Sequence, residues 1–239
     1  MTATTLLVLA RCAGFAFRAP GFSHPSVPPP LRAGLALLLA LAIAPGVRGA
    51  YFGASGLPFV AALAREVVLG SGIGIAASLL YDAAYAGGRV IDDYVGVRAV
   101  APNVQLVAPS GYGRLWSLAF TAGFFLLGAY RYTILGFARS FDAIPAGGVF
   151  ADYGWLPFAM RYASAIVATG AEIAAPSVAL AFVVQAGLGA LARTIPRFSS
   201  FTLSFPLVFG AALVATALAL PELVARAQHP VMFLPGLAP

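Results

Sequence analysis

The chain has no lysine, one cysteine and two histidines, and only 9% of its residues are charged. Each shortage removes a class of function. Without lysine there is no serine–lysine dyad and no phosphate-loop lysine. Cys12 alone forms no internal disulfide, and it sits in an apolar stretch where a small packing residue fits. His24 and His229 lie in proline-flanked stretches at opposite ends, neither with a second His or Cys at ligand spacing. No metal site, cofactor or hydrolase triad is therefore expected, and the chain reads as a protein that is not an enzyme. The net charge of +6 is carried by arginines scattered from Arg11 to Arg226, without a basic run or stripe, so there is no footprint for nucleic acid.

What is abundant is apolar surface. Hydrophobic residues make up 61% of 239, and mean hydropathy is +0.91. A soluble domain has about 25% charged residues, so this chain could not cover itself with solvated groups, and the surplus must face lipid or other protein. Composition is uniform, which favours one integral membrane domain over residues 1–239. The start, Met1–Leu9, lacks a basic n-region and Arg11 interrupts the apolar run, so a retained first helix is expected.

The apolar segments are Thr5–Ala19, Leu31–Ala44, Pro58–Tyr85, a short Gly88–Val97, Arg114–Phe137, Trp155–Ala192 and Phe198–Leu220, the last ended by Pro221. Pro176 divides the sixth as a kink or a corner. Only Ile173–Ala192 and Phe198–Leu220 supply about 20 uncharged apolar residues in a row. The remainder carry charges that cost about 2.5–3.5 kcal/mol each at the bilayer centre. The expected fold is thus an all-α membrane protein of helical hairpins with kinked or broken helices, whose charge-bearing segments face other protein in a multi-subunit assembly.

Three constellations stand out. Gly70 and Gly74 have the spacing at which missing side chains let two helix backbones approach. Arg65 and Glu66 precede that face and read either as a pair that stabilises packing or as an inter-subunit contact. Glu172 stands four residues before Pro176, which leaves the carbonyl at 172 without its helical donor. A proton relay there, or pairing with Arg161 or Arg193, is open. Asp92 and Asp93 are adjacent and point to different faces, which does not suit a two-aspartate protease.

The order of these signals carries a resemblance. "AREVVLG" (Ala64–Gly70), "AGGRVIDDYVG" (Ala86–Gly96), a Pro-bearing loop from Pro102 to Pro109, "SFDAIPAGG" (Ser140–Gly148) and "GLGALARTIPRFSSFTLSFP" (Gly187–Pro206) follow "VPPPLRAGLAL" (Val27–Leu37). From about Arg11 to Pro221 this succession resembles the FliR/SctT family, export-gate subunits of bacterial type III secretion systems. "IDD…G" at Ile91–Gly96 is closer to injectisome members than to flagellar ones. The Pro-bearing loop departs from the family's usual Asp-Pro with Ala101-Pro102, and a family "PQ-x-N" reads Pro196-Arg197-Phe198-Ser199.

The resemblance implies a multi-pass inner-membrane subunit with FliP/SctR-like and FliQ/SctS-like partners, and with FlhB/SctU-like and FlhA/SctV-like components. Together these would form a channel for unfolded protein substrates, raised in part above the membrane plane. It implies a pore plug in Arg98–Gly113, with Arg98, Val100, Pro102, Val104, Leu106, Val107 and Pro109. Independently, irregular apolar backbone at membrane depth must line a cavity or be buried in protein, and valine and leucine can close a pore by excluding water. Packing and interface positions are Arg65, Glu66, Gly70, Gly74, Asp92, Gly96, Glu172, Pro176, Arg193 and Pro196. The alternatives are a flagellar export-gate subunit and a stand-alone secondary transporter, which the break at Pro176 keeps open.

Overall fold

The computed structural model describes residues 3–23, 27–47, 56–96, 111–148, 155–195 and 201–226, with backbone alone at 155–158, 201–203 and 223–226. Among them run seven α-helices: α1 (Ala3–Arg18), α2 (Pro29–Ile43), α3 (Leu57–Val95), α4 (Gly111–Leu126), α5 (Ala129–Ala143), α6 (Trp155–Ala192) and α7 (Phe201–Arg226). A 3-10 turn, Ala44–Gly46, extends α2. Proline at the start of α2 is well placed, since its missing N–H falls where no intrahelical bond is made.

Among the described residues four helical stretches are long and apolar enough to cross a membrane: Pro29–Gly46, Leu57–Val95, Ala159–Ala192 and Ser204–Glu222. The pair α4–α5 would make a fifth if it counts as one broken span, bent by 76°. This is an all-α membrane protein.

By its internal contacts the chain divides into two compact units. The first comprises Met1–Leu79, Phe124–Tyr162 and His229–Pro239. Its core joins Leu7, Val8, Cys12 and Phe15 of α1 to Ala36 and Ala40 of α2, Ala62 and Ile73 of α3, and Phe137 and Phe141 of α5. Phe15 stacks on Phe137 with ring centroids 4.2 Å apart. Helices α1 and α3 meet backbone to backbone. A Cβ at Gly70 would overlap the Arg11 carbonyl, one at Gly14 would overlap the Val67 carbonyl, and one at Gly74 would lie 2.8 Å from the Arg18 Cβ.

The second unit comprises Leu80–Gly123 and Ala163–Gln228. Ile91 and Val95 of α3 pack with Tyr112, Trp116 and Phe120 of α4, Ile173, Ala174 and Ala181 of α6, and Val208 and Ala212 of α7. Glycines again set the closest approaches. A Cβ at Gly87 would lie 2.5 Å from the Gly170 oxygen, and one at Gly88 would lie 2.5 Å from the Gly113 Cα. The Ser177 and Thr216 hydroxyls satisfy one another across α6 and α7 at 3.0 Å.

Helix boundaries differ from the sequence reading at four places, each for a physical reason. Pro58–Tyr85 and Gly88–Val97 are one helix, because Gly87 and Gly88 are packing contacts, and that packing outweighs a helical cost of about 1 kcal/mol per glycine. The run Arg114–Phe137 is two helices, because Gly128 adopts φ 76°, a left-handed conformation open to glycine. At Pro176 α6 continues, so the corner is excluded, and α7 likewise runs past Pro221. Both prolines are exposed, and each ring removes one backbone hydrogen bond from a helix that otherwise continues. The candidate spans rise from two to four because the 3-10 turn lengthens α2 to span length, and because the continuous α3 is long enough to hold a span-length apolar stretch with few charges.

Candidate functional site

The first unit buries a complete ion pair. Arg11 is fully buried and Glu66 is 2% exposed. The guanidinium grips the carboxylate with two parallel bonds, Nε to Oε2 at 2.5 Å and Nη2 to Oε1 at 3.1 Å. Its remaining nitrogen, Nη1, donates to the Ser140 carbonyl at 3.2 Å and to the Ser140 hydroxyl at 3.4 Å. The plane of the cation lies over the Phe141 ring, 4.1 Å from its centroid. Glu66 Oε1 also accepts the backbone N–H of Gly147 at 2.8 Å. One network therefore ties together α1, α3, the end of α5 and the turn that follows it. Arginine suits this role because its planar fork matches a carboxylate and stays charged when buried.

Sequence reasoning placed Glu66 in an interface set and passed over its true partner. Arg11 appeared only as an interruption of the first apolar run, and Ser140 and Gly147 only as members of the motif Ser140–Gly148, with no partner assigned. The one available clue was complementary: cations, Arg11 and Arg18, in one apolar segment and anions, Glu66 and Asp82, in another, with Arg11 and Glu66 55 residues apart. Arg65, beside Glu66, takes no part in the network. It is half-buried, and its Nε lies away from water with no hydrogen-bond partner among the described residues.

The second unit contains an aspartate staple. Asp92 is fully buried. Its Oδ1 accepts the backbone N–H of Tyr112 at 3.0 Å, and its Oδ2 accepts that of Gly113 at 3.3 Å. These are two of the free donors in the first turn of α4, where a carboxylate is also favoured by the helix dipole. The Asp92 carbonyl accepts the N–H of Gly96 at 3.1 Å, and Gly96, at φ 83°, ends α3 in the left-handed conformation usual for a helix C-terminus. A single residue thus holds both described flanks of segment 97–110. Tyr112 extends the anchor by donating its hydroxyl to the Phe209 carbonyl at 2.9 Å. Replacing Asp92 by alanine should strand the two α4 donors at a cost of about 1–3 kcal/mol, whereas asparagine keeps one acceptor and should lose less. Amide exchange at Tyr112 and Gly113 reads this directly. Protection in the alanine variant equal to that of the parent would contradict the staple.

The other expected positions separate. Gly70 and Gly74 lie against α1. Glu172 and Pro176 are on the exposed side of α6, and Arg193 is exposed in the turn that follows. Arg98, Val100, Pro102, Val104, Leu106, Val107, Pro109 and Pro196 lie outside the described residues. Among the described residues no three His, Cys, Asp or Glu side chains gather as a metal site.

Comparison with known proteins agrees with the order of these features. The family described as bacterial export proteins, family 1, matches residues 2–232. The flagellar biosynthetic protein FliR of Escherichia coli K12 is 25% identical over 221 residues, covering 88% of this chain and 82% of that protein. Its counterpart from Aquifex aeolicus is 26% identical, covering 91% and 85%. The Yop proteins translocation protein T of Yersinia pestis is 26% identical over 186 residues, covering 74% and 70%. With the family pattern running through nearly its whole length, this chain belongs to the bacterial export proteins, family 1.

Proposed function

We propose that the chain is an export-gate subunit of a type III protein secretion system, forming with SctR- and SctS-like subunits the inner-membrane channel for unfolded substrates. The observation that carries this reading is the family match from residue 2 to residue 232 on a chain of span-length apolar helices. SctU- and SctV-like components complete the proposed assembly, part of which rises above the membrane plane. The subunit acts by geometry and gating. Arg65, Glu172 and Arg193 are proposed to meet neighbouring subunits, with Pro176 and Pro196 shaping the contact.

The segment from Arg98 to position 110 is proposed as the plug; the expected end at Gly113 is corrected because Gly111–Gly113 form the first turn of α4. Supporting this, Asp92 bonds to the described residues on both flanks of 97–110, which fixes the two ends from which the segment departs. The injectisome reading rests on the Ile91–Gly96 pattern. The flagellar reading draws on the greater coverage of the FliR relatives, 88% and 91% of the chain against 74%.

Purification of the tagged chain from its native membrane tests both levels. Unlike hydrophobic subunits should co-purify, and whether they are flagellar or injectisome components separates the two readings. A lone chain or homo-oligomer that pumps a solute in vesicles would favour a transporter and reject the assignment. In the purified assembly, deletion of Val104–Ala108 should make the channel leak ions, and unchanged permeability would reject the plug.

A further inference from the structure

The bend between α4 and α5 has a composition that neither the export reading nor the packing explains. Leu126 is 85% exposed and Tyr132 is 59% exposed, with Phe125 and Leu127 about 40% exposed beside them. Arg131 stands among them fully exposed, its Nε donating to the Tyr130 hydroxyl at 3.3 Å. No acidic residue occurs between Asp93 and Asp142, so the patch is cationic as well as apolar. It is also anchored: Phe125 meets Phe22 edge to face at 5.6 Å and fills the space that a side chain at Gly21 would need.

We infer that this bend is a membrane-interface anchor, seated at the headgroup level of the bilayer, where Arg131 meets anionic lipid phosphates. Three features select that level. The 76° break at Gly128 interrupts the regular helical ladder, and a turn bond from the Gly128 N–H to the Phe125 carbonyl at 3.3 Å replaces it there; such irregular backbone is disfavoured facing hydrocarbon, while headgroup water accommodates it. Tyrosine rings combine an apolar body with a polar tip and favour the interface. The exposed leucines make an aqueous position costly, while the guanidinium makes the bilayer centre costly. Together these place the bend neither in water nor at the midplane, so the α4–α5 pair is broken at the surface and is not one span. The inference does not rest on the export assignment.

The full-length chain with Leu126→Cys, carrying an environment-sensitive fluorophore, tests it in nanodiscs. Selective labelling is practical because burial pushes the Cys12 thiol up to about 12, which leaves it un-ionised and inert at neutral pH. A headgroup nitroxide lipid should quench most strongly, aqueous iodide weakly, and a deep-chain nitroxide less than the headgroup one. Replacing part of the phosphatidylcholine by phosphatidylglycerol should increase headgroup quenching, and Arg131→Gln should abolish that increase. Tyr132→Cys reports on the same site should the first variant fail to fold. Strongest quenching by the deep nitroxide would make the bend part of a span. Quenching by iodide alone would leave it in water, and protection from every quencher would mean that protein covers it. Each of these three results overturns the anchor.

Discussion

Replacing Glu66 by alanine is expected to destabilise the folded subunit by about 3–5 kcal/mol, the usual cost of leaving one member of a buried ion pair behind. The guanidinium of Arg11 would keep Ser140 and the face of Phe141, but would lose both charge-assisted bonds. The Gly147 N–H would lose its acceptor as well. Arg11→Ala should be comparably harmful, because it strands the carboxylate. The informative experiment is the cycle. Arg11→Met with Glu66→Leu removes both charges while preserving volume, and should recover much of the loss, because a buried pair is often replaceable by apolar packing. Denaturant titration in detergent, or the protease-resistant fraction in membranes, measures it. Additive losses in the double variant would show that the two residues act independently and that the network is misassigned.

The second large effect is expected at Gly70. Even alanine there sets a Cβ into the Arg11 carbonyl, and backbone cannot step aside as a flexible side chain can. Valine should force α1 off α3 and remove Arg11 from its partner, so the loss should exceed the roughly 1–3 kcal/mol typical of overpacking. Gly34, within α2 of the same unit, is the matched control: a Cβ there meets nothing within 4 Å. Gly34→Ala should be neutral, or stabilising by up to about 1 kcal/mol, since alanine is the better helix former. The two variants differ by the same single methyl group, so equal stability of Gly70→Ala and Gly34→Ala would refute the close approach of α1 and α3.

These two predictions also mark where sequence reasoning reached and where it stopped. The spacing of Gly70 and Gly74 announced a close helix contact, because small residues one turn apart have a local signature. It did not say which helix would arrive, and Gly14, the reciprocal glycine on α1, was not distinguished from its neighbours. Asp92 was singled out inside "IDDYVG", yet the N–H groups it holds belong to residues 20 and 21 positions later. Backbone donors look alike in any sequence. Gly87, Gly88 and Gly128 were equally indistinct, although the first two pack within a continuous helix and the third turns the chain.

The amino acids alone determined the class of molecule. Too few charges to wet a surface and long apolar runs leave a helical membrane protein, whatever its packing. The tertiary structure decided the pairings: that Arg11 answers Glu66, that Asp92 holds the start of α4, and that Gly128 rather than Pro176 breaks a helix. Solvation of a chain depends on average composition, which any ordering of segments preserves. A hydrogen bond or a backbone clash depends on which atoms lie within about 3 Å of one another, and that is settled only when distant segments come together.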